Sequence, residues 1–449
     1  MKIAEALGEF ITELNPRDLP GPVIETAKDR ILDLLGAALT GYKLGAHKHL
    51  FDVLAKDGDQ ESMIIGEAVK APCNVATLIN SSMANLFLTD GSRRGGIHPS
   101  IAVIPSSMAV AEREGVSGQD LILAVVLGYE AMIRVAAAMQ PGCVLRGFHP
   151  TSLASPIGAA AASGKLLHLN KAQMASALSV AAALSSGFMA SFKGGDYLAE
   201  LQAARGAESG VLAALMAQRG FRGYDDFFEE AYFRGYADKN SPELVTQGLG
   251  KDFAILRTYL KLYWACAHLL TPIDATLELI QKYKIRAEDV DQINVYIYSV
   301  ALTAEILDPR TGKDAGFSAP FIISMLLLEG RITPETFSDE KVKDRQVQQL
   351  MKKVHTKVDP ESDKNYPQKR QIKVEILTRD GKVYSQKLDG FRGEAEHPLT
   401  RKEIEEKFMD LASGVVGKQK AKKTIAFIAG LEKKDSLQEL GSLLKKGEK

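Results

Sequence analysis

The residues that carry the most chemistry in the least length are Asp90-Gly91-Ser92-Arg93-Arg94-Gly95-Gly96-Ile97-His98-Pro99-Ser100, a carboxylate, a hydroxyl, two guanidiniums and an imidazole between two apolar segments of helical pattern. The end of this stretch recurs as Gly147-Phe148-His149-Pro150-Thr151, and both copies run into sequence rich in small residues. Proline is favoured at the first helical position, where its missing N–H costs nothing, so Pro99 and Pro150 predict helix starts with His98 and His149 at the N-caps. The free N–H groups and positive dipole end of each helix disfavour imidazolium there. They favour a neutral ring that can take a proton, and they attract a carboxylate. With Arg93, Arg94 and Arg146 close in sequence, the two histidines read as proton-transfer groups over an anionic substrate. One such histidine could simply cap its own helix; two matching copies put the functional reading ahead.

Further candidates lie downstream. Lys193-Gly194-Gly195-Asp196 reads as a turn exposing Lys193 and Asp196, and Arg205 stands among Ala203, Ala204, Gly206 and Ala207, which are too small to cover it. Arg205 is therefore either partly buried against a carboxylate or facing a ligand. Lys261 and His268 close the helical region, and for Lys261 the plain alternatives are a salt bridge to Asp274 or a solvated helix end. His47 and His49 could grip a metal only with a third ligand, so a solvated loop or helix face is the expectation there and no metal site is predicted.

A length of 449 residues implies two or three domains. With 45% hydrophobic and 25% charged residues, and 56 basic against 56 acidic side chains, the composition is that of a soluble globular protein. Zero net charge gives no reason to invoke nucleic acid or a membrane surface, and 7% aromatics leave few stacking platforms. The three cysteines, Cys73, Cys143 and Cys266, are far apart and form neither a disulfide framework nor a close-spaced metal motif. Glu5, Glu9 and Glu13 interrupt the amphipathic N-terminus, and no apolar run reaches membrane-spanning length without a charge. A cytoplasmic protein is expected.

The elements that must position these residues are mostly helices. Residues 1–45 predict two, the second beginning at Pro22; 74–89 and 100–140 are again helical, with a new start at Ser117-Gly118-Gln119-Asp120. From 151 to 218 the chain is crowded with Ala, Gly and Ser, which let helices approach closely and predict the interior of a bundle. Composition then changes to a smaller α+β block, roughly 270–394. It holds a period-two strand near 291–299, helices near 317–329 and 339–352, a strand at 354–358, and a hairpin turning at Asp380-Gly381. Residues 396–449 return to helix, opening on a Thr400/Glu403 capping box, and the lysine-rich tail 443–449 reads as frayed and solvated.

Taken together the chain resembles the MmgE/PrpD family, which includes 2-methylcitrate dehydratase, cis-aconitate decarboxylase and iminodisuccinate epimerase. The segments that carry the resemblance are Ile31-Leu32-Asp33-Leu34-Leu35-Gly36, the stretch 90–99, Gly147 to Thr151, Lys261-Leu262-Tyr263, Ile273-Asp274-Ala275, Phe317 to Phe321, and His397-Pro398-Leu399-Thr400 with Glu406-Lys407-Phe408. The resemblance implies a mainly α protein with an α+β second domain. A large all-helical domain would form from both chain ends (1–269 and 395–449), with a smaller α+β lid (270–394), the active site in the cleft, and a homodimer as the assembly. It places His98, His149 and Lys261 in the active site as catalytic residues, and Ser92 where members acting on citrate-like acids carry a small hydroxyl residue. Asp90, Arg93, Arg94, Arg146, Lys193, Arg205 and His268 complete the expected substrate-binding set. The sequence departs from the family at Leu88, where an acid is usual, at Ala199 and Gln202, where many relatives have Lys and His, and at Phe321, where Tyr is frequent. Lys193 and Arg205 are candidates to replace the missing cation.

Such a site needs no metal or redox cofactor. A neutral histidine removes a proton alpha to a carboxylate, Lys261 and an arginine stabilise the developing charge, and a second histidine or a hydroxyl protonates the departing group. The expectation is a lyase on a small di- or tricarboxylic acid, hydro-lyase first, decarboxylase or isomerase next. The alternative is a non-catalytic carboxylate-binding member of the family.

Overall fold

A computed structural model of the chain describes residues 2–55, 58–85, 88–192 and 198–447. The protein is mainly α with some β, and its contacts divide it into two compact units, Met1–Leu260 with Thr400–Lys449, and Lys261–Leu399. The segment Lys261–Leu269, helical-domain sequence by composition, thus has its contacts in the second unit.

The principal helices of the first unit are α1 (Ile3–Glu13), α2 (Gly21–Leu44), α3 (Cys73–Ala84), α4 (Ser100–Glu114), α5 (Gly118–Ala138), α6 (Pro150–Leu166), α7 (Lys171–Ala183) and α8 (Leu198–Gln218). At the centre is α5. Ser117 caps it by accepting from the Asp120 N–H at 3.3 Å, and from Leu121 to Ala138 every residue is buried. By length and composition α5 could cross a membrane, yet its apolar window is wholly buried inside the protein. Its few polar residues, Tyr129, Glu130 and Arg134, therefore each require an internal partner.

The small residues between 151 and 218 do what their size predicts. A Cβ at Gly210 of α8 would lie 2.3 Å from the Pro156 carbonyl oxygen of α6, and one at Gly206 would lie 2.9 Å from Ser155 Cβ. Glycine at both positions lets α8 lie directly on the first turns of α6, the helix that follows His149.

The first unit also contains short β-pairs, β1 (Ser62–Met63) with β2 (Lys70–Ala71) and β3 (Gly91–Ser92) with β4 (Thr258–Tyr259), both antiparallel. In the second unit, β5 (Val290–Ile297), β6 (Val354–Val358), β7 (Ile372–Thr378) and β8 (Val383–Leu388) form one sheet in the order β6-β5-β7-β8. Only β5 and β6 run parallel. Ile372, Val374 and Ile376 alternate into the core, and the hairpin turns where Gly381 adopts φ +83°. Helices α9 (Leu270–Tyr283) and α10 (Ala319–Glu329) pack against this sheet. Helix α9 begins at Leu270, and Asp274 lies within it, buried.

The chain then returns to the first unit with α11 (Arg401–Val416) and α12 (Lys418–Ala429). The Thr400/Glu403 capping box is present at the start of α11. Lys407 of α11 reaches Asp33 of α2 at 2.5 Å and the Leu88 carbonyl at 3.0 Å, all three buried. The C-terminal helix thus holds the segment that leads to Asp90.

Two surface expectations are corrected. The tail is tied down as far as it is described, because the Lys446 N–H donates to the Gly66 carbonyl and the Gly447 N–H to the Val415 carbonyl, each at 3.0 Å. His47 is buried rather than solvated, stacked on Tyr42 with ring centroids 4.6 Å apart, while Lys48 opens a short helix.

The α6–α8 approach yields a direct test. Gly210→Ala should lower the thermal midpoint by several degrees, the equivalent of about 1–3 kcal/mol of overpacking. Gly414→Ala in α11, where an added Cβ meets no atom within 4 Å, should hold or slightly raise it. Calorimetry of the two variants side by side checks both signs.

Candidate active site

The hairpin that carries the first cluster is closed by its own backbone. The Ser92 N–H donates to the Ile97 carbonyl at 2.8 Å, and the Gly96 N–H returns to the Ser92 carbonyl at 2.9 Å. Ser92 is buried, pairs with Thr258 in the β3–β4 ribbon, and accepts from the Gly95 N–H at 3.4 Å. Its hydroxyl is thus directed into the turn. Pro99 already has helical angles (φ −70°, ψ −35°) and serves as the cap of α4, which begins at Ser100, one residue later than expected.

Asp90 is fully buried, and its three oxygens are all engaged. Oδ1 accepts from the Ser100 N–H at 3.2 Å and Oδ2 from the Tyr129 hydroxyl at 2.7 Å, while the backbone carbonyl lies 2.6 Å from His98 Nδ1. Burial raises the Asp90 pKa, opposed by Arg30 and by the Ser100 and Tyr129 hydrogen bonds. Burial, and then Asp90 itself, push the Tyr129 phenol well up, so it remains a donor. A carbonyl oxygen can only accept, so Nδ1 of His98 must carry the proton, and in the neutral ring the lone pair sits on Nε2.

The second corner is drier. His149 is the N-cap residue of α6, with Pro150 at the first helical position as the sequence predicts, but its ring makes no capping hydrogen bond. Instead Nδ1 lies 2.7 Å from Ser152 Oγ, and the ring meets Phe192 edge to face at 4.9 Å. Burial alone pushes the His149 pKa down to about 4, so the ring is neutral at physiological pH. The corners meet where the His98 N–H donates to Thr151 Oγ1 at 3.3 Å.

The second unit holds its own buried cluster. His268 Nδ1 lies 2.8 Å from the Tyr298 hydroxyl, and Tyr298 stacks on Tyr366 with centroids 4.2 Å apart. Burial, then the positive charges of Arg370 and Lys261, push the His268 pKa down to about 3. Lys261 is 3% exposed, which rules out a solvated helix end. Asp274, the carboxylate considered as its partner, accepts from the Tyr263 hydroxyl and from the Arg392 N–H, each at 2.8 Å.

The remaining expected cations are dispersed. Arg93 and Arg94 are half-buried, and burial, then the field of Arg134 and Arg257, lowers the Arg94 pKa. Arg146 faces outward, 3.3 Å from Asp238 and 5.8 Å from the Phe148 ring centroid. Arg205 takes the carboxylate alternative, pairing with Glu208 one helical turn on while remaining 62% exposed. Lys193 lies outside the described residues. Among the described residues no group of three or more His, Cys, Asp or Glu side chains is arranged to hold a metal ion.

Both halves of one family match this chain. The MmgE/PrpD N-terminal domain matches residues 5–244 and the MmgE/PrpD C-terminal domain residues 263–433. The chain belongs to the MmgE/PrpD family. It is similar along nearly its whole length to a cis-aconitate decarboxylase-like protein of Aspergillus oryzae, 27% identical over 98% of this chain and 97% of the relative. The cis-aconitate decarboxylase of Homo sapiens is 26% identical over 99% of this chain and 94% of its own, and that of Aspergillus terreus 24% over 98% and 96%.

The four positions expected to depart from the family all have a place in the fold. Leu88, Ala199 and Phe321 are buried, and Gln202 accepts from the Phe188 N–H at 2.7 Å. Sequence reasoning passed over Tyr129, Ser152, Phe192 and Tyr298. A lone hydroxyl in the apolar run of α5 was the available signal for Tyr129; Phe192 meets His149 only through the fold.

The depressed histidines give a signed pH dependence. A histidine with a folded pKa near 4 and an unfolded one near 6.5 costs nothing above pH 6.5 and destabilises the fold progressively as pH falls toward 4. Between pH 7.5 and 5, His149 should account for about 2 kcal/mol of lost stability. Chemical unfolding of the wild type and His149→Gln at both pH values checks this: the variant should lose less on acidification.

Proposed function

We propose that the chain is a lyase that generates a carbanion alpha to a carboxylate of a small di- or tricarboxylic acid. His98 acts as the proton-transfer group and His149 as a neutral hydrogen-bonding partner beside it. The observation that carries this reading is the meeting of the two His-Pro corners at Thr151, which gives two histidines different electrostatic settings in one region of the helical unit.

The roles follow from those settings. Nε2 of His98 holds the lone pair and takes the alpha proton. His149, kept neutral, offers a hydrogen bond to the charge that develops on the substrate carboxylate rather than acting as an imidazolium acid. Arg93 and Arg94 supply positive charge on the hairpin. By family likeness Lys261 is a further catalytic residue and a homodimer is the assembly.

Two bond-breaking outcomes share this carbanion. In dehydration the alpha proton goes to His98 and the beta hydroxyl leaves with a second proton. In decarboxylation no alpha proton is removed: the electron pair of the broken C–CO2 bond stays on the alpha carbon, CO2 leaves, and the carbanion is quenched by a proton that His98 first takes up from solvent and then delivers. Sequence alone puts dehydration first; the activity named for the full-length relatives supports decarboxylation as the reaction to test first.

Incubation in D2O with cis-aconitate, citrate, 2-methylcitrate and malate, followed by NMR, tests the reading. Deuterium at an alpha carbon, a new vinyl signal or released CO2 is the expected result. His149→Ala should reduce turnover by about 10²-fold or more while circular dichroism is unchanged. Absence of exchange with every acid, alongside a thermal shift with one of them, would replace the lyase with a carboxylate-binding protein.

A further inference from the structure

We infer that Tyr129, acting through Asp90, is a positioning residue for His98: it fixes which imidazole nitrogen takes the proton. This rests on the proposed role of His98 and adds to it a residue fixed in the middle of α5.

Asp90 is bonded at both ends. Its side chain is held by the Tyr129 hydroxyl at 2.7 Å and the Ser100 N–H at 3.2 Å, and its backbone carbonyl takes His98 Nδ1 at 2.6 Å. Two of these bonds span the hairpin, from residue 90 to residues 98 and 100, so the carboxyl and the imidazole are held by one short loop. The third ties that loop to α5, which is buried on all sides around Tyr129. Each bond alone would leave the Asp90 peptide free to tilt, and together they fix the direction of its carbonyl.

That direction decides the tautomer. In water a neutral histidine side chain prefers its proton on Nε2, which would leave Nδ1 as the acceptor. A carbonyl at Nδ1 reverses the preference, because the carbonyl has no proton to give. The reversal puts the lone pair on the nitrogen farther from the backbone. Asp90, expected from sequence as a substrate ligand, serves instead through its peptide group. Tyr129 is what keeps that peptide in place.

The field around Asp90 points the same way. Arg30 lies near enough to oppose its burial, and donates to Thr258 Oγ1 at 2.8 Å and to the Thr258 carbonyl at 3.0 Å. Thr258 in turn pairs with Ser92, two residues from Asp90. The hairpin is therefore gripped from α2 and α5 at adjacent positions.

The experiment is ¹⁵N NMR of protein labelled at its 8 histidines, with the His98 signal identified by its loss in His98→Gln. Wild type should show His98 protonated on Nδ1 and not on Nε2. In Tyr129→Phe the signal should shift toward the Nε2-protonated form, and kcat should fall roughly ten- to a hundredfold with KM changed less than about twofold. Asp90→Asn, which keeps the volume but turns one of the two acceptor atoms into an NH2 donor, should move both readings in the same direction, and covers the case in which Tyr129→Phe does not fold. An Nε2-protonated His98 in the wild type, or an unchanged tautomer and kcat in a folded variant, overturns the inference. The tautomer is read without substrate, so the two proposals fail separately. The expected tautomer with no turnover on any acid removes the lyase reading alone; the opposite tautomer with turnover removes this inference and the choice of Nε2 as the base, and leaves the lyase reading standing.

Discussion

The Asp90 carboxyl group is wholly withdrawn from water, and burying such a group without partners costs several kcal/mol. Its partners come from separate places: the N–H of Ser100 at the start of α4, the hydroxyl of Tyr129 in α5, and the field of Arg30 in α2. The first lies within the hairpin segment itself, but the other two do not exist until α2 and α5 have packed against it. The hairpin between Asp90 and Ser100 is therefore ordered by tertiary structure, and His98 inherits that order through the Asp90 carbonyl. A loop of glycines and arginines has little intrinsic preference for one conformation; its ends are fixed here by hydrogen bonds that a misplaced helix would leave unmade.

The two histidines illustrate how environment assigns different work to the same side chain. Both precede proline, and both belong to a corner that leads into a helix. His98 rests on a carbonyl in a half-buried position, while His149 sits under Phe192 against a serine hydroxyl, where burial alone depresses its pKa. A helix cap would have engaged the first N–H groups of α6, and the His149 ring does not. The ring is held instead by the Ser152 hydroxyl in the first turn of the same helix and by the edge of Phe192. The cost of keeping it neutral is borne by the fold and appears only on acidification.

The parts of this arrangement that local sequence encodes were legible. Pro150 as a helix start, the capping box at Thr400, the Asp380-Gly381 turn and the small residues of α6 and α8 are each decided by neighbours within a few positions or by side-chain size. What local sequence does not encode was not legible. Arg146 belongs with Asp238 and the C-terminal tail with Gly66, pairings made by packing of distant segments, and His47 is buried between the nearby Tyr42 and Glu67. Asp90 shows the limit most clearly: an acid beside two arginines reads as a salt bridge or a substrate ligand, whereas the fold turns its carboxyl inward toward a tyrosine 39 positions away. The family likeness supplied Lys261, which no local pattern singles out.

Helix α5 explains why a buried, nearly all-apolar element matters to a polar site. Tyr129 and Glu130 are adjacent, so their side chains leave the helix about 100° apart. Tyr129 holds Asp90. Glu130 pairs with Arg134 at 2.6 Å and accepts from the Ala254 N–H, while Arg134 donates to the carbonyls of Gln247 at 2.6 Å and Asp252 at 2.9 Å. The segment so gripped leads directly into β4, and β4 pairs with β3, which begins one residue after Asp90. One helix therefore controls both strands of the ribbon beneath the hairpin, one through a phenol and the other through an ion pair. A buried ion pair adds little net stability compared with apolar residues of the same volume. Its value here lies in specificity, because an apolar pair would fill the space and leave the carbonyls of Gln247 and Asp252 with no donor to fix the path into β4.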